Sequence, residues 1–159
     1  MRVISGISFL SSPLIEAKGV RHAFLSRRGG VSSAPFETLN FDERDTDAPE
    51  NIRENRRIIG QAFGINAERL VTVNQVHGNT VHLVTEKNIG GLTPDADAII
   101  TGLKSVPIGI MTADCLPIAI WDPVHRAVAM LHAGWRGVAR QLPRRTLDAM
   151  AMCYHTRPD

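Results

Sequence analysis

Two histidines and one cysteine, each close to the end of a predicted β-strand, have the clearest potential for chemistry in this sequence. They are His77, Cys115 and His132. The gaps between them are too long for a zinc finger or ribbon, whose ligands come in close pairs. Three ligands from three strand ends would instead leave a fourth position for water or substrate, as in catalytic zinc sites. The spacing therefore predicts one zinc-like ion in a site that does chemistry, although ordinary hydrogen-bonded side chains are the alternative.

The neighbours of these three residues fit a metal site. Small residues follow both histidines, Gly78 after the first and Ala133-Gly134 after the second, and they leave room around a ligand. Asp114 precedes the cysteine, and its carboxylate could orient an imidazole by a hydrogen bond. Asp95 and Asp97 lie on one face of a predicted strand, so one of them could point into the site or both could form an exposed acidic edge. We predict a catalytic role for Asp114, with a solvated turn residue as the alternative.

Short apolar runs predict the elements that would position these side chains. Seven strands are expected, mostly bounded by Gly, Pro, Asp or Asn, over residues 20–25, 70–73, 80–84, 96–101, 106–111, 116–121 and 127–131. A helix is predicted from Asp47, as its N-cap, to Gly64, and a second helix begins near Pro143. Because strands outnumber helices, we expect one α+β domain over residues 1–159. Its mixed, largely antiparallel sheets would be flanked by helices.

The composition excludes several classes of function. The 159 residues, with 43% hydrophobic and 21% charged, are typical of one soluble globular domain. A net charge of +2 and a single Tyr argue against nucleic acid or an anionic membrane as a partner. Two cysteines cannot form a disulfide framework, and the N-terminal segment has no convincing cleavage site. We therefore expect a protein of the reducing cytoplasm.

Several short segments resemble the motifs of a bacterial protein family. NQVHG at 74–78, TADCLPI at 112–118 and HAGWRG at 132–137 look like the signatures of the YfiH family. It is also called the laccase-domain or multicopper polyphenol oxidase family and, more recently, a purine nucleoside phosphorylase family. SRRGGVS at 26–32, LN at 39–40 and ENRR at 54–57 are similar to its N-terminal motifs, with Ser26 where a Thr is usual. The resemblance implies that the His, Cys and His of the signatures bind a metal, usually zinc.

The resemblance also implies a role for the RRGG segment at 27–30, which by itself could be a hairpin turn with solvated arginines. Arg27 matches the functional arginine of the family, whereas Arg28 falls at a variable position. A guanidinium binds phosphate bidentately, and the N–H groups of Gly29 and Gly30 could turn toward the same anion. Arg27 is therefore expected to hold a phosphate or an anionic transition state.

Three further residues are predicted to contact the substrate. Asn40 and Gln75 carry amides that could read a purine or a ribose. Arg136 lies four residues after His132 in HAGWRG, and we assign it to the substrate as well. Its neighbour Trp135 is expected to pack in the core, and a flat wall against a base is the alternative.

The implied function is a zinc enzyme that cleaves adenosine or inosine with phosphate, with deamination of adenosine as a further activity. Copper-dependent oxidation of polyphenols is the alternative, because two histidines and a cysteine also form the core of a blue-copper site. Six histidines are, however, too few for a multicopper oxidase. A third interpretation makes Cys115 a hydrolase nucleophile with His132 as its base, which competes with metal binding. The fourth interpretation is a scaffold that binds the metal but catalyses no reaction.

The chain departs from the family in one respect. Family members continue through a further part of the domain, roughly their last third, whereas this sequence ends at Asp159. We expect apolar surface near Leu147, Met150 and the sheet to be exposed as a result. Such a surface tends to associate, so a homo-oligomer is predicted.

Overall fold

A computed structural model describes residues 1–16 and 19–157, and the chain divides into two units, Met1–Glu68 and the part from Arg69 onward. The first unit contains a three-stranded antiparallel sheet in the order β1-β2-β3, formed by Arg2–Ile4, Ile7–Leu10 and Phe24–Leu25. Its helices are α1, Pro13–Glu16, and α2, Pro49–Phe63. A 3₁₀ turn covers Ala67–Arg69.

Helix α2 closely follows the predicted bounds. Pro49 occupies its first turn and Gly64 ends it with φ of 59°, in the left-handed region that glycine adopts easily. The N-cap position is Ala48, one residue later than predicted. The N–H of Ala48 donates a hydrogen bond to the carboxylate of Asp47 (2.8 Å). The buried face of the helix packs in the core of this unit, which includes Ile7, Leu39, Ile59 and Ala62.

The second unit is built on a four-stranded sheet in the order β4-β5-β7-β6, formed by Val81–Leu83, Ala98–Thr101, Ala127–Ala133 and Leu116–Asp122. Strands β4 and β5 are parallel, and the other two pairs are antiparallel. Helices α3, Trp135–Ala139, and α4, Leu142–Tyr154, follow the last strand. No helix within the described ranges is long and apolar enough to cross a membrane. The predicted α+β class, with mixed and antiparallel sheets, is confirmed.

Strand β5 is buried on both faces of this sheet. Ala98 and Ile100 pack with β7 and with Leu142 and Met150 of α4. Ile99, which points the other way, packs in a second cluster with Val73, Val84, Ala96 and Val106. Met150 itself is fully buried and Leu147 is half-buried, whereas Leu116 at the start of β6 is exposed. The exposed neighbour of Met150 on the helix is Met152.

Some predicted strands are shorter or absent. Residues 70–73 and 106–111 form one isolated parallel bridge, Val71 with Ile108, because Pro107 and Gly109 interrupt the second run. Only Phe24–Leu25 of the run at 20–25 is a strand. The hairpin of β1 and β2 was not predicted. Ser5 and Gly6, with φ of 49° and 83°, form its turn.

A buried carboxylate at the end of β6 makes the stability of the second unit depend on pH. Asp122 accepts a hydrogen bond from the Thr156 hydroxyl (2.6 Å), and others from the N–H groups of Val124 and His125 and from the His125 ring. The Thr156 hydroxyl, helped by the other donors, holds the pKa of Asp122 far below its ordinary value, although burial alone would raise it. The folded state therefore favours the ionised carboxylate.

We expect Asp122→Asn to lower the free energy of unfolding by about 2 kcal/mol at pH 7, since charge-assisted hydrogen bonds are lost. Because the folded pKa is depressed, this contribution is present above the unfolded pKa. It fades as the pH falls below about 4 toward the folded pKa. Urea unfolding of both proteins between pH 7 and 3 should show the difference narrowing in acid. A difference that stays constant with pH would contradict this assignment.

Candidate metal centre

The three predicted ligands lie together in the second unit. The ligand atoms of His77, Cys115 and His132 are all within 4.8 Å of one another, and in the described part of the chain they are the one group of this kind. The two imidazole rings meet edge to face, with centroids 4.7 Å apart. Two metal–ligand bonds of about 2.0–2.3 Å nearly span such a separation. His132 is buried, Cys115 half-buried and His77 exposed, so the group is open on one side.

His132 lies near the end of β7 and is fixed by the strand beside it. Its Nδ1 is 2.8 Å from Oδ1 of Asp97, and its backbone N–H donates to the carbonyl oxygen of the same residue (2.7 Å). The carboxylate of Asp97 is completely buried. Since Nδ1 is engaged, Nε2 is the nitrogen of His132 available to a metal.

His77 lies on a loop that wraps around the same carboxylate. The N–H groups of Val76, His77 and Gly78 donate to Asp97 at 3.3, 3.0 and 2.6 Å. Burial raises the pKa of Asp97, but hydrogen bonds from the His132 ring and from these three N–H groups outweigh it and hold the pKa below its ordinary value. Asp97 is therefore a carboxylate at neutral pH.

Cys115 directly precedes β6, whose register with β7 places it beside the other ligands. Leu116 pairs with Ala133 and Pro117 with His132. A side chain on Gly134 would bring its Cβ to 3.0 Å from the cysteine sulfur and 3.3 Å from the His77 ring. The first glycine of HAGWRG is thus a residue whose missing side chain leaves space for two ligands.

Gln75 joins the two loops that carry His77 and Cys115. Its amide donates to the carbonyl oxygen of Met111 (2.6 Å) and accepts from the N–H of the same residue (2.8 Å). These bonds give Gln75 a positioning role, and its predicted contact with a nucleoside stays a prediction.

Asp97 orients the imidazole of His132, a role that the sequence analysis gave to Asp114. Among residues 1–16 and 19–157, no hydrogen bond joins Asp114 to a histidine, and the ring of His132 is held by Asp97. Of the two acidic residues predicted on one strand face, Asp97 is the one that enters the site. Asp95 accepts a hydrogen bond from Asn74 (2.6 Å). A catalytic role for Asp114 by another route stays a prediction.

The RRGG segment lies in the first unit, next to a pocket. The residues that line this pocket are Arg27, Arg28, Gly29, Glu37 and Thr38. Arg27 donates from Nε to the carbonyl oxygen of Glu37 (2.6 Å), and its guanidinium is 3.6 Å from the Glu37 carboxylate. The side chain is 68% exposed. The N–H groups of Gly29 and Gly30 both donate to the Thr38 hydroxyl (3.0 Å) instead of turning toward an anion.

Asn55, from the ENRR motif, anchors this loop and was not predicted as a functional residue. It is completely buried, donates to Ser32 and to the carbonyl oxygen of Asn40, and accepts from the N–H of Val31. Gly30 is so close that a Cβ there would lie 2.3 Å from its Oδ1. The Asn40 amide donates to Asp47 (3.2 Å), and its substrate contact stays a prediction.

Trp135 and Arg136 both lie on the surface at the start of α3. The expectation that Trp135 packs in the core was wrong, because 75% of this residue is exposed. Helix α3 begins immediately after Gly134 and turns the indole outward. The Arg136 guanidinium lies over the indole, 5.3 Å from its centroid. A substrate contact of Arg136 stays a prediction.

The chain is similar to several known proteins. The chain is 38% identical to a purine nucleoside phosphorylase of Deinococcus radiodurans over 140 residues, which are 87% of this chain and 53% of that protein. It matches the crystal structure of YlmD from Geobacillus stearothermophilus with a TM-score of 0.81 and 29% identity, over 86% of this chain and 53% of the other.

A second solved structure, Bacillus licheniformis YfiH, matches with a TM-score of 0.77 and 25% identity over 82% of this chain and 51% of the other. The chain spans about half the length of the curated relatives it matches. The model of the family described as multi-copper polyphenol oxidoreductase laccase matches residues 21–159. The resemblance of the short motifs is thereby confirmed, and the chain belongs to this family.

Proposed function

We propose that this chain carries the metal centre of a zinc-dependent enzyme that cleaves adenosine or inosine with phosphate, with deamination of adenosine as a second reaction. The observation that carries the proposal is the convergence of His77, Cys115 and His132, with one side of the group open. A relative named purine nucleoside phosphorylase, 38% identical, supports the choice of substrate. The expected partners are small molecules, a nucleoside and phosphate, and the expected setting is the cytoplasm.

The residues present fit a zinc ion. Imidazole and thiolate are ligands that zinc accepts in tetrahedral geometry without redox chemistry. The hydrogen bond from His132 to Asp97 leaves Nε2 toward the group, and Gly134 leaves space beside the cysteine sulfur. When bound, zinc supplies Lewis acidity, which polarises a substrate oxygen or lowers the pKa of a water molecule.

Side chains of the protein would bind the phosphate and the nucleoside. Arg27 is exposed at its pocket, and a guanidinium offers phosphate two parallel charge-assisted hydrogen bonds. The phosphate would form a bond to C1′ of the ribose while the bond from C1′ to the purine nitrogen breaks. Phosphate must compete with the Glu37 carboxylate for the guanidinium, since the two are 3.6 Å apart. Asn40, Gln75 and Arg136 are the proposed contacts to the nucleoside.

Copper-dependent oxidation of phenols is the second candidate, favoured by the family's description and by the donor set. Oxidation by several coppers needs several clusters of ligands. In the described part of the chain, one group of three is found. Zinc and a nucleoside are therefore preferred.

The proposal is tested by loading the purified chain with zinc and incubating it with inosine or adenosine, with and without phosphate, beside the Deinococcus radiodurans relative. Chromatography should show free purine base and ribose 1-phosphate only when phosphate is present. Oxidation of a phenol by the copper-loaded chain, together with intact nucleosides in the zinc reaction, would reverse the ranking of the two functions. If the chain bound zinc but catalysed neither reaction, it would be a metal-binding scaffold.

A further inference from the structure

One buried carboxylate contacts both histidine ligands, which come from different parts of the chain. Asp97, at the start of β5, accepts hydrogen bonds from the His132 ring and from the backbone N–H of His77. We propose that Asp97 is a positioning residue that fixes two of the three metal ligands at once and thereby sets the affinity of the site for zinc. This inference rests on the proposed metal site.

The first half of the argument concerns the tautomer of His132. A carboxylate can only accept, so the imidazole must carry its proton on Nδ1, 2.8 Å from Oδ1 of Asp97. The other tautomer would turn a lone pair toward the carboxylate. Both side chains are at most 5% exposed, so water does not compete for the contact. The lone pair of Nε2 is therefore held toward the other ligands even before a metal binds.

The second half concerns the backbone of His77. Its φ of 57° lies in the left-handed region, which is uncommon for a residue other than glycine. Three successive N–H groups, those of residues 76–78, point at the two oxygens of Asp97. The carboxylate thus stabilises the backbone conformation from which the His77 ring meets His132.

An amide could not replace this carboxylate. Asp97 accepts from four donors, and an asparagine would offer one acceptor oxygen and place its own N–H₂ against the remaining donors. Asp97→Asn must therefore lose the contact with His132 or the contacts with the His77 loop. In either case one ligand is no longer held in place.

The same sheet offers a matched control. Asp122, at the far end of β6, is also a buried aspartate that accepts from a histidine Nδ1 (2.9 Å) and from backbone N–H groups. Its histidine, His125, is not one of the metal ligands. Asp122→Asn therefore reports the loss of a buried carboxylate without a change at the metal site.

The test measures zinc affinity by competition with a chromophoric chelator, for the wild-type chain and for both variants. Asp97→Asn should bind zinc about 10- to 100-fold more weakly, as expected for loss of a carboxylate behind a metal-bound histidine. Asp122→Asn should bind zinc like the wild type. Equal zinc affinity of folded Asp97→Asn and wild type would overturn the proposal. If Asp97→Asn does not fold, Asp97→Glu replaces it, because it keeps the charge and moves the oxygens by one methylene.

A second readout needs no metal. Nitrogen-15 NMR of the metal-free wild type, recorded for the neutral form of the ring, should show the His132 proton on Nδ1. A proton on Nε2 would overturn the proposal even if zinc affinity fell. A wild-type chain that binds no zinc would refute the proposed metal site, and the NMR result would still decide whether Asp97 positions His132.

Discussion

Replacement of Cys115 by alanine should reduce the zinc content of the purified chain from about one equivalent to almost none. Zinc-finger peptides with four ligands bind zinc with about 10–16 kcal/mol, so each ligand corresponds to roughly 2.5–4 kcal/mol. The loss of one of three ligands should weaken binding by at least about a hundredfold. Elemental analysis after gel filtration, followed by chelator competition, measures both quantities. His77→Ala should behave in the same way.

Cys153 is the matched control for this experiment. It is the second of two cysteines in the chain, and it lies exposed on α4. Cys153→Ala should keep its zinc, and zinc should protect Cys115 from alkylation but leave Cys153 reactive. Unchanged zinc content in both Cys115→Ala and His77→Ala would remove the central claim of the proposed function. It would favour the interpretation of Cys115 as a nucleophile.

The grouping of His77, Cys115 and His132 could be predicted from the sequence because each lies close to the end of a predicted strand and in a segment that resembles a family signature. Periodicity gave the strands near the site correctly: β4, β5, β6 and β7 lie within one or two residues of the predicted runs. Their order in the sheet depends on pairings between distant residues, which local patterns do not encode.

The supporting residues were harder to predict for a physical reason. A carboxylate next to a ligand in sequence, such as Asp114, is an obvious partner, whereas Asp97 reaches His132 only because β5 pairs with β7. Asn55 was missed since its contacts lie 15 to 24 residues away along the chain. Trp135 was assigned to the core, but the helix that turns it outward is only five residues long.

Replacement of Arg27 by alanine should lower kcat/KM for phosphate by roughly ten- to a hundredfold, with little change in nucleoside binding. One charge-assisted bidentate contact is worth about 1.5–3 kcal/mol, which corresponds to that loss of rate. The effect should fall on phosphate, because the guanidinium is the proposed anion-binding group of its pocket and the glycine N–H groups are already bonded to Thr38. Initial rates at varied phosphate and fixed inosine, then the reverse, separate the two substrates.

Two variants show whether this loss reflects phosphate binding or a damaged loop. Arg28→Ala removes the neighbouring arginine of the same pocket and should leave the kinetics nearly unchanged. Arg27→Lys keeps the charge but offers no planar fork, so it should recover only part of the phosphate affinity. Because Arg27 also donates to the carbonyl oxygen of Glu37, thermal unfolding of each variant must be compared with wild type. If Arg27→Ala impaired nucleoside and phosphate use equally and lowered Tm, Arg27 would be a structural residue of the loop and its anion-binding role would be withdrawn.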